Sequence, residues 1–121
     1  MINRAALLLR YKEPAIQWIN NTDPDDDAPE IELDRVNQEL TVYLIPDRAA
    51  VDDDTVRMWV ELNHEALLQN ELSGWMTDES CWPEALNLEL LNEWFDIECH
   101  SIIIDTSDEP ITEEDYDDEI H

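Results

Sequence analysis

The sequence predicts an α+β fold, a small single domain in which a sheet of about three strands carries helices on one face. Three observations predict it. Apolar residues alternate with a period of two in three separated stretches, residues 5–11, 39–45 and 97–105. Between them lie stretches of helical spacing bounded by capping and breaking residues. The hydrophobic fraction is 43% and there are five Trp in 121 residues. A chain of that size suits one domain, burying roughly 65–70% of its unfolded surface.

In the first strand, Leu7, Leu9 and Tyr11 share one face and Leu8 lies on the other. Pro14 suits the first turn of a helix over residues 13–20, where Ile16, Trp18 and Ile19 make an apolar patch. A turn signal at Asn21 to Pro24 opens an acidic loop that reaches Pro29. Ile31, Leu33 and Val36 then support a short helix or an irregular segment. Over residues 39–45, Leu40, Val42 and Leu44 alternate with Thr41, Tyr43 and Ile45, and Pro46-Asp47 ends this second strand.

The best helix follows. Asp52, Asp53 and Asp54 place negative charge at its N-terminus, and one of them or Thr55 caps it. Val56, Trp59, Val60 and Leu67 form its apolar stripe, and it runs to about residue 72, before Ser73-Gly74. A loop through residue 83 carries Trp75 and Trp82. Pro83 opens a helix over residues 84–94 with Leu86, Leu90, Leu91 and Trp94. The third strand, residues 97–105, is the most apolar. Composition changes after Thr106: residues 107–121 hold eight acids and no Lys or Arg. The expected organisation is a domain over residues 1–106 and an acidic, mobile tail over 107–121.

Charge dominates what remains. Asp plus Glu number 32 against 6 Lys plus Arg, a net charge of −26. Such a surface repels phosphates and anionic lipid, so nucleic acid and membrane are not expected partners. The single glycine, Gly74, leaves no phosphate-cradling loop. No apolar run reaches the length of a membrane span, and nothing resembles an export signal, so a cytoplasmic location is expected. Spread over about 6,800 Å² of surface, the charge is thinner than on B-DNA, so mimicry would need the carboxylates gathered on one face. A salt-adapted host is the plainer reading of the same composition.

The block Glu93-Trp94-Phe95-Asp96-Ile97-Glu98-Cys99-His100-Ser101 resembles one found in small, stand-alone bacterial proteins of unknown function. Its companions are Val42-Tyr43-Leu44-Ile45-Pro46, Trp75-Met76-Thr77-Asp78-Glu79-Ser80 and Trp82-Pro83. The resemblance implies a compact, single-domain cytoplasmic protein and carries no functional residue with it.

Asp96, Glu98 and His100 alternate along the third strand and so share a face. A His with two carboxylates suits a metal or a carboxylate-held general base, and His64 on the long helix is a candidate fourth group. The plainer reading makes His100 a partly buried, hydrogen-bonded histidine, on a face that Ile102 and Ile104 continue toward the core. Cys99 neighbours His100 but points to the opposite face, and Cys81 has no neighbour that activates it. The Asp23–Asp27 and Asp52–Asp54 runs lack the turn glycine and closing Glu of a calcium loop. Trp59 and Trp94 read as core, while Trp18, Trp75 and Trp82 form either a second core layer or a binding face.

The leading expectation is a non-enzymatic binding or regulatory module that meets a basic protein partner through its carboxylates. Its binding candidates are Trp75 and Trp82, with Ile111, Tyr116 and Ile120 spaced along the tail. The alternative is a small enzyme or metal-binding protein built on Asp96, Glu98 and His100. No cofactor is implied.

Overall fold

A computed structural model of the chain describes residues 1–22 and 30–113. Strand β1 (Arg4–Tyr11) is the centre of a three-stranded antiparallel sheet of order β2-β1-β3, with β2 (Tyr43–Pro46) and β3 (Phe95–His100) at its edges. The helices are α1 (Glu13–Thr22), the single turn α2 (Leu33–Val36), α3 (Asp53–Ser73) and α4 (Leu88–Trp94). Short 3-10 turns occupy Asp47–Ala50 and Glu79–Cys81. The fold is α+β, as expected. Among the described residues no helix is long and apolar enough to cross a membrane.

Alternation along β1 divides the molecule. Ala5, Leu7, Leu9 and Tyr11 are buried in one cluster with Ile16 and Ile19 of α1, Val60, Leu67, Leu68 and Leu72 of α3, and Leu91 and Trp94 of α4. Ile45, the register partner of Ala5, and Phe95, the partner of Tyr11, extend that face. The opposite face carries buried Ala6, half-buried Leu8 and exposed Arg10, Leu44, Asp96 and His100, and no described helix covers it.

The long helix starts and stops as its sequence dictates. Thr55 N–H donates to Asp52 Oδ1 at 2.8 Å, and Asp52 N–H donates to Thr55 Oγ1 at 3.1 Å, a reciprocal cap. Its last turn closes where the Met76 N–H reaches the Leu72 carbonyl at 2.8 Å.

Three boundaries differ from expectation. The second strand is Tyr43–Pro46 rather than 39–45, and it pairs with Arg4 to Leu7 of β1. Farther along, Asn37 takes the place of a strand: Tyr11 N–H donates to Asn37 Oδ1 at 2.9 Å, and Asn37 Nδ2 donates to the Tyr11 carbonyl at 3.1 Å. Helix α4 begins at Leu88, not residue 84. Asn87 caps it by accepting from Leu90 N–H at 2.9 Å, and Pro83 stays outside the helix. Strand β3 spans Phe95–His100 rather than 97–105. Beyond the Ala6–His100 pair, Ile2 N–H meets the Ile103 carbonyl at 2.8 Å, one residue off the earlier register.

Candidate functional site

Strand alternation does put Asp96, Glu98 and His100 on one face, the uncovered one. They do not assemble as a ligand set. Glu98 accepts from His100 Nε2 at 2.8 Å and pairs with Arg10 at 3.5 Å, while Asp96 pairs with Lys12 at 3.5 Å. The His100 ring, and behind it the Arg10 guanidinium, hold the Glu98 carboxyl below the usual carboxylate range. His64 lies on α3 with Nδ1 2.7 Å from the Glu61 carbonyl of its own helix. Among the described residues, no three His, Cys, Asp or Glu side chains group so as to hold a metal. His100 is also exposed, at 61% of its side chain, rather than partly buried. Ile102 and Ile104 are 69% and 66% exposed, so their face turns away from the core instead of toward it.

Cys99 does lie on the face opposite His100. There it is half-buried, and burial raises its thiol pKa, which disfavours the nucleophilic thiolate.

The tryptophans follow the expectation in part: Trp18, Trp59 and Trp82 pack against the core, and Trp75 does not. Trp94 is core, and Trp59 only half-buried. Trp18 packs on Trp94 at a centroid distance of 5.6 Å and donates Nε1–H to the Cys81 carbonyl at 3.1 Å. Trp82 is half-buried and donates to the Met76 carbonyl at 2.8 Å. Trp75 keeps 38% of its surface exposed while its indole N–H donates to the Tyr11 hydroxyl at 2.8 Å. In the tail, Ile111 is 71% exposed, and Tyr116 and Ile120 lie outside the described residues.

Two features emerge that the binding candidates did not include. The first is a groove of about 480 Å³ between α1 and the segment leading into α2. Glu13, Glu30, Glu32 and Asp34 line it, Ile16, Ile31 and Leu33 supply its apolar lining, and no described Lys or Arg takes part. The segment is clasped to α1 through Asn20, whose Nδ2 donates to the Ile31 carbonyl at 3.1 Å while its Oδ1 accepts from Ile31 N–H at 2.8 Å. The acidic run 23–29 lies outside the described residues.

The second feature is a buried carboxylate. Glu71 on α3 is 7% exposed. Its Oε1 accepts from the Tyr11 hydroxyl of β1 at 2.7 Å, and its Oε2 accepts from the Tyr43 hydroxyl of β2. Each phenol oxygen in turn accepts a hydrogen bond at 2.8 Å, from Trp75 Nε1 and Asn70 Nδ2 respectively. Two relays therefore converge on one carboxylate. Burial first, then the Glu71 charge, pushes the Tyr11 phenol far above its ordinary pKa; burial and the hydrogen bond to Glu71 do the same for Tyr43. Glu71 was legible as a candidate: it falls four residues after Leu67 and three after Leu68, inside the apolar stripe.

Compared with known proteins, the chain matches no family model, no curated protein and no solved structure.

Proposed function

We propose that the protein is a binding module for a basic protein partner, and that the groove between α1 and the α2 segment is the main contact. One observation carries this reading: Glu13, Glu30, Glu32 and Asp34 line a single groove with no described cation among its lining residues. Carboxylates so arranged attract Lys and Arg side chains, and the groove's Ile16, Ile31 and Leu33 suit their aliphatic stems. Two of the six Lys and Arg are already paired elsewhere. Arg10 and Lys12 are engaged with Glu98 and Asp96 on the outer sheet face and do not line the groove.

The test must separate the groove from bulk acidity. A fluorescent Arg- and Lys-rich peptide is titrated into the protein at 0.05 M and 0.3 M NaCl. A groove variant (Glu13→Gln, Glu32→Gln, Asp34→Asn) is compared with a control that removes the same charge elsewhere (Glu61→Gln, Glu65→Gln, Glu89→Gln). Binding should weaken with salt, and the groove variant should bind ~10-fold more weakly than the control, about 1.4 kcal/mol. Equal weakening in both variants would reduce the charge to a solvent adaptation and remove the groove from the account.

A further inference from the structure

Among the described residues, the buried Glu71 carboxylate has hydrogen-bond donors and no counter-ion. All its partners are neutral, and the described ion pairs involve only Arg10, Lys12 and His100 with Asp96 and Glu98. The phenols stabilise the charge without cancelling it, and in a poorly solvated site its field reaches farther than at the surface.

That field opens onto empty space. A cleft of about 190 Å³ is lined by Glu71, Tyr11, Asn70, Trp75, Thr41 and Glu39. A neighbouring cleft of about 230 Å³ shares Glu39, Val36 and Trp75 with it and adds Ile31 and Arg35. The indole that both clefts share is fixed at its N–H edge by Tyr11 and packs edge-on to the Tyr11 ring at 6.2 Å. Its ring is thus held in place in a lining that Glu71 and Glu39 share, and an aromatic ring among carboxylates is the chemistry that recognises an organic cation.

We propose that these paired clefts bind a small organic monoammonium ion. The ammonium group sits in the first cleft between Glu71 and Glu39, and the alkyl chain lies along Trp75 into the second, against Val36 and Ile31. Arg35, which lines the second cleft, disfavours a second positive charge there. The site meets the acidic groove only at Ile31 and does not depend on that reading.

Charge selectivity makes the inference testable. The full-length protein is titrated with n-butylammonium chloride at constant ionic strength, following tryptophan fluorescence and calorimetry. The expected result is saturable binding, tighter than for 1,4-diaminobutane dihydrochloride and absent for n-butanol. General attraction to a −26 surface predicts the reverse order for the two amines. Glu71→Gln should weaken binding ~10-fold or more, and Glu39→Gln, at an exposed position that does not support the fold, should weaken it several-fold. If Glu71→Gln does not fold, Glu39→Gln and the amine order decide the matter. Tighter binding of the diamine, unsaturable titration, or an unchanged Glu39→Gln affinity would overturn the proposal.

Discussion

Replacing Glu71 by Gln keeps the side chain's shape and removes its charge, so it isolates what the buried network contributes. In the native protein each carboxylate oxygen accepts a phenol hydrogen, and each phenol oxygen is already an acceptor for Trp75 or Asn70. Gln offers one acceptor and one donor. The phenol that meets the new amide N–H must then face two donors while its own hydrogen loses its acceptor. One hydrogen bond to a charged group, worth about 1.5–3 kcal/mol, is lost, and the other falls to the neutral value of about 1 kcal/mol. The expected destabilisation is about 3 kcal/mol, or roughly 10 °C in melting temperature for a chain of this size. The assay is urea unfolding followed by circular dichroism and tryptophan fluorescence, with Glu65→Gln, exposed on the same helix, as control. A double-mutant cycle with Tyr43→Phe should show a coupling of about 1–2 kcal/mol. A loss below ~1 kcal/mol, or additivity within ~0.5 kcal/mol, would refute the reasoning, because a buried carboxylate with two phenol donors cannot be neutralised so cheaply.

Four further outcomes are expected. Stability should fall at alkaline pH: the Tyr11 and Tyr43 phenols are raised in the folded state, so their contribution is complete below the unfolded value near pH 10 and is lost as pH rises above it. Two phenols predict a loss of about 3 kcal/mol between pH 9 and 11, which Tyr11→Phe and Tyr43→Phe together should flatten in a pH series of urea melts. Asn87→Ala removes the cap of α4 and should cost about 1 kcal/mol by the same urea assay, while an unchanged midpoint would mean another group supplies Leu90 N–H. Melting temperature should rise from low salt to ~0.15 M NaCl, since screening relieves carboxylate repulsion; a flat response would mean the charges are locally compensated. Truncation after Thr106 should leave melting within ~2 °C by calorimetry, because residues 107–113 are exposed and bury too little to offset their ordering entropy.

What the sequence revealed, and what it concealed, follows from the range of the interactions. Period-two alternation located Leu7, Leu9 and Tyr11 on the core face of β1, and the Asp52–Thr55 pair located the start of α3, because both signals are local. Strand ends were not local. Where β2 stops depends on which part of β1 it pairs with, and at Tyr11 the β1 edge is taken by Asn37, 26 residues away, whereas β3 stops where its register shifts. Ile102 and Ile104 misled in another way: alternation carries them on the face of Asp96, Glu98 and His100, and no local pattern says which face of the sheet the helices cover. Asp96, Glu98 and His100 were correctly placed on one face, yet the cations that claim the two carboxylates, Arg10 and Lys12, come from β1 and its end. The Glu71 network was half legible. A glutamate in an apolar helical stripe and two tyrosines on strand faces each need a partner, but no local pattern pairs residues 28 and 60 apart.

The choice of partner for Glu71 has a physical logic in a chain this short of cations. An Arg in place of the phenols would have to be buried as well, and the desolvation of a second charge offsets most of the attraction gained. Phenols supply short, charge-assisted hydrogen bonds while exposing no second charge to desolvation, and their rings add apolar area: Tyr11 packs edge-on against Phe95 at 4.8 Å. The arrangement also ties several elements together. Tyr11 brings β1, Tyr43 brings β2, Asn70 and Glu71 bring α3, and Trp75 brings the loop beyond it. Neutral donors thus let one carboxylate cross-link sheet, helix and loop and still keep its charge. A salt bridge in the same place would cross-link fewer elements and extinguish the field that the adjoining cleft receives.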